Sequence, residues 1–94
     1  MAFKRTVAQW ATIYRALGNP YRLRILQLLR LKKSLSVTEL TAVLGISFKN
    51  TSRNLGILLK LDLVEAEGKR GHVSYKVNNR LSVEISTILK NSIW

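Results

Sequence analysis

The 94-residue sequence has no cysteine, which excludes disulfides and metal sites built on thiolates. It also lacks any apolar run near the roughly 18 residues that a membrane-spanning helix needs. Gln9, Arg15 and Arg22 interrupt the stretch in which a signal peptide would have its apolar core. These absences predict a soluble cytoplasmic protein without a membrane partner.

Acidic residues are scarce: five Asp and Glu stand against 16 Lys and Arg, which gives a net charge of +11. Folding gains nothing from such self-repulsion, so the excess favours a polyanionic partner, with nucleic acid ahead of an anionic membrane. A surface that serves only solubility is the alternative. The few acids are scattered, and no Ser/His/Asp set or phosphate-binding glycine loop accompanies them. Neither an enzyme nor a bound cofactor is predicted.

Two amphipathic helices are predicted in the N-terminal third. Over 2–17, apolar residues recur at steps of four and three as one helical stripe, formed by Phe3, Val7, Trp10, Tyr14 and Leu17. Gly18 ends this helix. Asn19 and Pro20 then begin a second helix, because Asn is a good N-cap and Pro suits the first helical position.

A helix-turn-helix is predicted over about 37–61. Ser36 and Glu39 have the spacing of a capping box at the start of a short helix. Gly45 can adopt a positive φ and end that helix, and Ser47 is placed to cap the next one. Two short helices joined by a tight turn are the outline of a DNA-binding helix-turn-helix.

A hairpin and a last helix complete the predicted order. Val73, Tyr75 and Val77 alternate as in a strand, and Gly68 and Gly71 bracket two cations at the tip of a hairpin over about 63–77. A terminal helix is predicted over 81–93. The whole chain, 1–94, is therefore predicted to be one mainly α domain with a small β-hairpin, a winged helix-turn-helix.

Three stretches resemble, in order and spacing, the motifs of the ArsR/SmtB-type winged-helix transcriptional regulators. They are Y-R-A-L-G-N-P-Y-R-L-R-I-L-Q-L-L (14–29), S-V-T-E-L-T-A-V-L-G-I-S (36–47) and T-S-R-N-L-G-I-L-L-K-L-D-L-V (51–64). With the hairpin ending V-S-Y-K-V, the resemblance covers about residues 12–77. It implies a homodimer paired through its first and last helices, which binds a pseudo-palindromic double-stranded DNA operator as a repressor. A DNA partner also predicts association with the nucleoid.

The sequence departs from the family pattern at several positions. Asn54 stands where the family usually has His, and Asp62 where it usually has Gly. Metal-sensing relatives carry Cys-x-Cys where this chain has Thr41 and Val43, and others use a carboxylate and histidine set on the last helix, where it offers only Glu84. No metal site is predicted.

The predicted recognition helix has no acid between Ser47 and Leu61. Arg53 can fork onto guanine, Asn50 or Asn54 can pair with adenine, and the Ser47 hydroxyl can reach a phosphate. The predicted DNA contacts in this helix are Ser47, Lys49, Asn50, Ser52, Arg53, Asn54 and Lys60. Those at the hairpin tip are Lys69, Arg70 and the lone histidine, His72. An ordinary solvated surface is the alternative for both groups.

The terminal helices carry the predicted dimer interface, namely Phe3, Val7, Trp10, Tyr14, Ile85, Ile88, Leu89 and Trp94. For Trp10 and Tyr14, filling of the monomer core is the alternative. A rival function is an architectural or protein-interaction module that binds nucleic acid without sequence preference. In that case Ile57, Leu59 and Leu61 form the surface that faces the partner.

Overall fold

The structure, a computed structural model, describes residues 4–69 and 71–94 apart from the side chain of residue 69. Five helices and one hairpin follow in the order α1 (Val7–Leu17), α2 (Pro20–Lys32), α3 (Val37–Leu44), α4 (Phe48–Lys60), β1 (Val64–Lys69), β2 (His72–Val77) and α5 (Val83–Lys90). This order confirms the predicted winged helix-turn-helix. None of the helices in the described ranges is long and apolar enough to cross a membrane.

Side-chain caps decide where the terminal helices begin, and both helices are shorter than predicted. Thr6 and Gln9 form a capping box, so α1 begins at Val7 and not at residue 2. The Ser82 hydroxyl accepts the Ile85 N–H, so α5 begins at Val83 and not at residue 81. Beyond α5, the last residues turn back, and the N–H groups of residues 93 and 94 both donate to the Leu89 carbonyl.

One apolar cluster, contributed by every helix and by β1, forms the core. Its members are Ile13, Leu17, Ile25, Leu26, Leu28, Leu29, Leu40, Leu55, Leu58, Leu63, Val64, Ile85 and Leu89. Ile85 and Leu89, which the sequence places in the predicted dimer interface, are members of this core. They are 1% and 0% exposed, because α5 turns its apolar face into the core and leaves these side chains no surface for a second copy.

The hairpin is tied to the helices through one residue of the α2–α3 connection. β1 and β2 pair antiparallel from Val64 opposite Val77 to Lys69 opposite His72. Leu35 exchanges two backbone hydrogen bonds with Tyr75, of 3.0 and 2.8 Å, and so forms an isolated antiparallel β-bridge to β2. Near the tip, Gly68 has φ 131°, and a Cβ there would collide with the His72 carbonyl oxygen. The observed bend of the hairpin therefore requires glycine at position 68.

The backbone is strained where α2 ends. Lys33 has φ 74° and ψ −56°, and the Ser34 N–H donates to the Lys32 carbonyl over 2.9 Å. This is a γ-turn with a positive φ, which costs a residue with a Cβ about 1–3 kcal/mol.

Replacing Lys33 with Gly should raise the free energy of unfolding by about 1 kcal/mol. The relieved strain exceeds the extra unfolded-state entropy of glycine, which is about 0.5–1 kcal/mol. Urea unfolding measures the change. The neighbouring Lys32→Gly is the control and should lower stability, because Lys32 is helical. Equal losses in both variants would contradict the strained turn.

Candidate nucleic-acid interface

A pair of hydroxyls, of which that of Thr51 is buried, joins α4 to α3. The Thr41 hydroxyl donates to Thr51 Oγ1 over 2.8 Å, and Thr51 Oγ1 donates to the Ser47 carbonyl over 3.0 Å. Thr51 is 0% exposed. Between the helices, Gly45 has φ 69° and donates its N–H to the Thr41 carbonyl. Thr41, at a position where metal-sensing relatives have cysteine, thus links α3 to the first turn of α4 by a hydrogen bond.

The outer face of the N-terminal half of α4 is exposed and carries no acid. Lys49, Asn50, Ser52 and Arg53 are all exposed. Among the described residues, no carboxylate lies within 4.0 Å of the charged groups of Lys49 or Arg53. Ser47 Oγ accepts the Asn50 N–H over 3.0 Å, which leaves the hydroxyl hydrogen free to donate to a phosphate. This part of α4 therefore offers only donors, amides and positive charge.

Asn54 is positioned differently from the other predicted contacts in α4. Arg22 Nη1 donates to Asn54 Oδ1 over 2.8 Å, and Asn54 Nδ2 donates to the Asn50 carbonyl over 3.0 Å. Asn54 is half-buried. Both ends of its amide thus bond within the chain, which leaves one N–H and one lone pair of the amide for any further contact.

Arg22 is a functional residue that sequence reasoning missed. Besides its bond to Asn54, its Nε donates to the Ala16 carbonyl over 2.7 Å and its Nη2 to the Arg15 carbonyl over 3.4 Å. One guanidinium thereby links the C-terminal end of α1, the first turn of α2 and the middle of α4. No local pattern could have found it, because Arg22 and Asn54 are 32 residues apart in sequence.

Two further side chains differ from expectation. Phe48, the first residue of α4, is 58% exposed beside Lys49, although it was not among the predicted contacts. The sequence feature that could have identified Phe48 is its position directly after the Ser47 cap, in the first turn of the predicted recognition helix. Lys60 is exposed at the other end of α4, about 16 Å from Lys49 by helical rise. It lines a cavity with α1 and is separate from the rest of the predicted DNA contacts.

The side of the hairpin carries ion-paired charges, whereas the predicted DNA contacts lie at its tip. On the side, Lys76 Nζ lies 3.0 Å from Glu67 and 3.6 Å from Glu65. The hydrogen bond to Glu67 and its charge raise the pKa of the Lys76 ammonium, and two acids against one cation repel phosphates. At the tip, His72 is exposed opposite Lys69 in the ladder. The Lys69 side chain and all of Arg70 lie outside the described residues.

Part of the predicted dimer interface forms one uncovered apolar strip on α1. Val7 is 87% exposed and Tyr14 is 56% exposed. Trp10 is half-buried between them, with its ring centroid 5.8 Å from that of Tyr14 and the Arg5 guanidinium 5.3 Å above it. We call Val7, Trp10 and Tyr14 the α1 strip. Phe3 lies outside the described residues.

The other interface candidates lie in α5 and just after it. Two residues of the rival surface pack against the core. Ile88 and Trp94 are half-buried against the core, and the Arg30 guanidinium lies 4.8 Å above the Trp94 ring. Leu59 and Leu61 also pack against the core. All three residues of the rival surface are half-buried, and Ile57 and Leu61 line a surface groove between α1 and α4.

The described part of the chain contains no group of three or more His, Asp or Glu residues placed to hold a metal ion. Glu84, the acid that stands where some relatives bind metal on the last helix, is exposed in the first turn of α5. Its carboxylate lies beside the positive end of the helix dipole, which gives it a local stabilising role.

Comparison with known proteins gives a consistent family. A model of the helix-turn-helix domain matches residues 17–67, more than half of the chain. The HTH-type transcriptional regulator YgaV from Escherichia coli (strain K12) is 30% identical over 83 residues, which are 88% of this chain and 84% of YgaV. Reduced HlyU from Vibrio cholerae N16961 superposes with a TM-score of 0.73 at 30% identity, covering 89% of this chain and 84% of HlyU.

A second similar structure is Mb0332 from Mycobacterium bovis, a homodimeric winged helix-turn-helix DNA-binding domain and a possible ArsR-family transcriptional regulator. It has a TM-score of 0.71 at 25% identity and covers 100% of this chain and 94% of its own. The curated relative and the matched domain are those of transcriptional regulators, which act by binding and not by catalysis. By its motifs, its fold and these matches, the chain belongs to the ArsR/SmtB-type winged helix-turn-helix family of DNA-binding transcriptional regulators.

Proposed function

We propose that this protein is a homodimeric repressor that binds a pseudo-palindromic operator in double-stranded DNA, in the cytoplasm at the nucleoid. The observation that carries the proposal is the outer face of α4. Its N-terminal half projects from the core with exposed cations and amides, without an acid and without ion-pair partners among the described residues. An ordinary exposed helix would mix acids with its cations.

Specific readout belongs to the exposed residues of this face. Arg53 presents the fork that fits guanine O6 and N7, and Asn50 presents an amide that fits adenine N6 and N7. Phe48 is suited to a thymine methyl group. Lys49, Ser52 and the Ser47 hydroxyl bind phosphates beside them, and the hairpin tip, with Lys69, Arg70 and His72, binds the flanking backbone or minor groove. Asn54 is assigned to positioning.

The α1 strip supports dimerisation. Exposing a contiguous aromatic and aliphatic strip to water is unfavourable. Pairing about a two-fold axis covers the same strip on both copies at once. Ile88 and Trp94 can extend the contact from the last helix. Pairing would set two α4 helices about 34–36 Å apart, one turn of DNA, which is the spacing that a pseudo-palindrome requires.

Repression is the simplest outcome of such binding. A dimer on a promoter blocks polymerase by occupancy alone, whereas activation needs a further surface that contacts polymerase. The family resemblance also implies repression.

Selection from a random-sequence DNA pool at about 0.15 M salt tests the function. Enrichment of an inverted repeat with half-sites about one turn apart is expected. Strongly salt-dependent binding without any enriched sequence would overturn the proposal and favour the architectural module.

Replacing Arg53 with Ala should weaken binding to the enriched site by about 1–3 kcal/mol and relax the preference at one base position. The reason is the loss of one bidentate contact to guanine. Fluorescence anisotropy on matched and mismatched sites measures both effects. Lys90→Ala, which removes one positive charge from the end of α5, is the charge-matched control and should leave the base preference intact. An unchanged preference in Arg53→Ala would remove α4 from the reading role.

A further inference from the structure

A cavity of about 500 Å³ lies between α1, the α4–β1 turn and the β2–α5 connection. Three cationic side chains line it, those of Arg5, Lys60 and Arg80. Apolar side chains also line it, among them those of Ile13, Leu81 and Ile85. A volume of this size falls within the range of about 300–1,000 Å³ that is usual for small-molecule sites.

The positive charge of the cavity is not neutralised within the chain. Asp62 is the one carboxylate in the lining, and it lies more than 4.0 Å from the charged groups of all three cations. Three positive charges against one negative charge leave the cavity with a net charge of +2. Like charges that converge on a concave site repel one another, and an anion bound between them would remove that repulsion.

The walls of the cavity are held by hydrogen bonds and not by loose loops. Arg5 Nη1 donates to Ser82 Oγ over 3.2 Å, and the guanidinium is stacked at 5.3 Å on Trp10. On the opposite wall, Asn78 Nδ2 donates to the Asp62 carbonyl over 2.9 Å, and Asn78 Oδ1 accepts the Arg80 N–H over 2.8 Å. Two of the three cations, Arg5 and Arg80, are thereby held at the cavity before an anion binds, which lowers the ordering cost of binding.

We propose that this cavity binds a small amphipathic organic anion, with a carboxylate or phosphate head group on a short apolar body, as the effector of the regulator. The cations receive the head group, and the apolar side chains receive the body. Only the regulatory role of this anion rests on the proposed function, because binding of the anion itself needs no DNA. It also accounts for Lys60, which lies here and not with the other cations of α4.

The position of the cavity provides a route to DNA binding. Lys60 ends α4 and Leu61 follows it, and both line the cavity. An anion that pairs with Lys60 adds negative charge to the helix that approaches DNA and pulls on its C-terminal end. Gln9 and Thr12, which line the cavity from α1, lie on the side of that helix opposite Val7 and Tyr14. Pairing through Val7 and Tyr14 would therefore leave the Gln9 and Thr12 side of the cavity open. Trp10 of the same strip contacts the cavity wall through Arg5.

The test uses phenyl phosphate and benzoate as anionic probes and benzyl alcohol as the neutral probe, followed by amide NMR of the full chain at about 0.15 M NaCl. Saturating shifts confined to the amides around Gln9, Leu61 and Ser82 are expected for at least one anion and not for the alcohol. The anion that binds more tightly identifies the head group. Its addition should lower the affinity for the enriched operator, whereas the alcohol should not.

Arg80→Gln should weaken anion binding about tenfold, the loss of one charge-assisted contact, and should leave operator affinity without the probe unchanged. Lys90→Gln is the charge-matched control and should bind the anion as the wild type does. Shifts scattered over the surface, or equal weakening in both variants, would overturn the site. Binding in the cavity without any change in operator affinity would overturn the effector role. Failure of the DNA selection with intact anion binding would overturn the proposed function alone.

Discussion

Replacing Tyr14 with Asp should convert the proposed dimer to a monomer and lower its affinity for a two-half-site operator by about 10²–10⁴. The two-fold axis doubles the free-energy cost of pairing, because each dimer would bury two unpaired carboxylates in an apolar contact. The loss exceeds that of any single DNA contact, since the second half-site would no longer be held at high effective concentration. Sedimentation velocity of the 10.7 kDa chain and anisotropy on the operator measure the two effects.

Two variants separate this effect from general damage to α1. Tyr14→Phe should remain dimeric, because the ring and its contact with Trp10 are kept. Tyr21→Asp makes the same change at a tyrosine that is 43% exposed on α2, outside the α1 strip, and should also remain dimeric. A dimeric Tyr14→Asp protein would show that the copies pair elsewhere. Ile88 and Trp94 would then be the next surface to change.

Replacing Arg22 with Ala should lower the free energy of unfolding by about 2–3 kcal/mol. Three hydrogen bonds from a half-buried guanidinium disappear, and the carbonyls of Arg15 and Ala16 lose a donor at the end of α1. Operator affinity should fall as well, because Asn54 would no longer hold the middle of α4. Thermal or urea unfolding and anisotropy measure the two losses.

Two controls for Arg22→Ala are available, one at Arg24 on the same helix and one at Asn54, the hydrogen-bond partner of Arg22. Arg24, whose guanidinium bonds only to Gln27 among the described residues, should tolerate Ala within about 0.5 kcal/mol. Asn54→Ala in the Arg22→Ala background should cost less than Asn54→Ala alone, since the contact is already lost. Additive losses would show that the bond between Arg22 and Asn54 does not couple α2 to α4.

The sequence by itself determined the elements, their order and the polar face of α4. The reason is physical: caps such as Ser36 with Glu39, the turn at Gly45 and the hydroxyl of Ser47 act over three or four residues, so their partners can be read along the chain. Helix ends were less certain, because Thr6 and Ser82 compete with apolar residues that would fit a longer stripe.

Only the tertiary structure decided what each apolar or polar face contacts. Periodicity predicts that Val7, Tyr14, Ile85 and Leu89 all lie on the apolar stripes of the terminal helices. In the structure the first two are exposed and the last two are buried. Which stripe meets the core depends on how the helices pack, and sequence spacing carries no information on that packing. The bond between Arg22 and Asn54 and the cation-lined cavity likewise join residues that are distant in sequence. They exist only because folding brings α1, α2, α4 and α5 together.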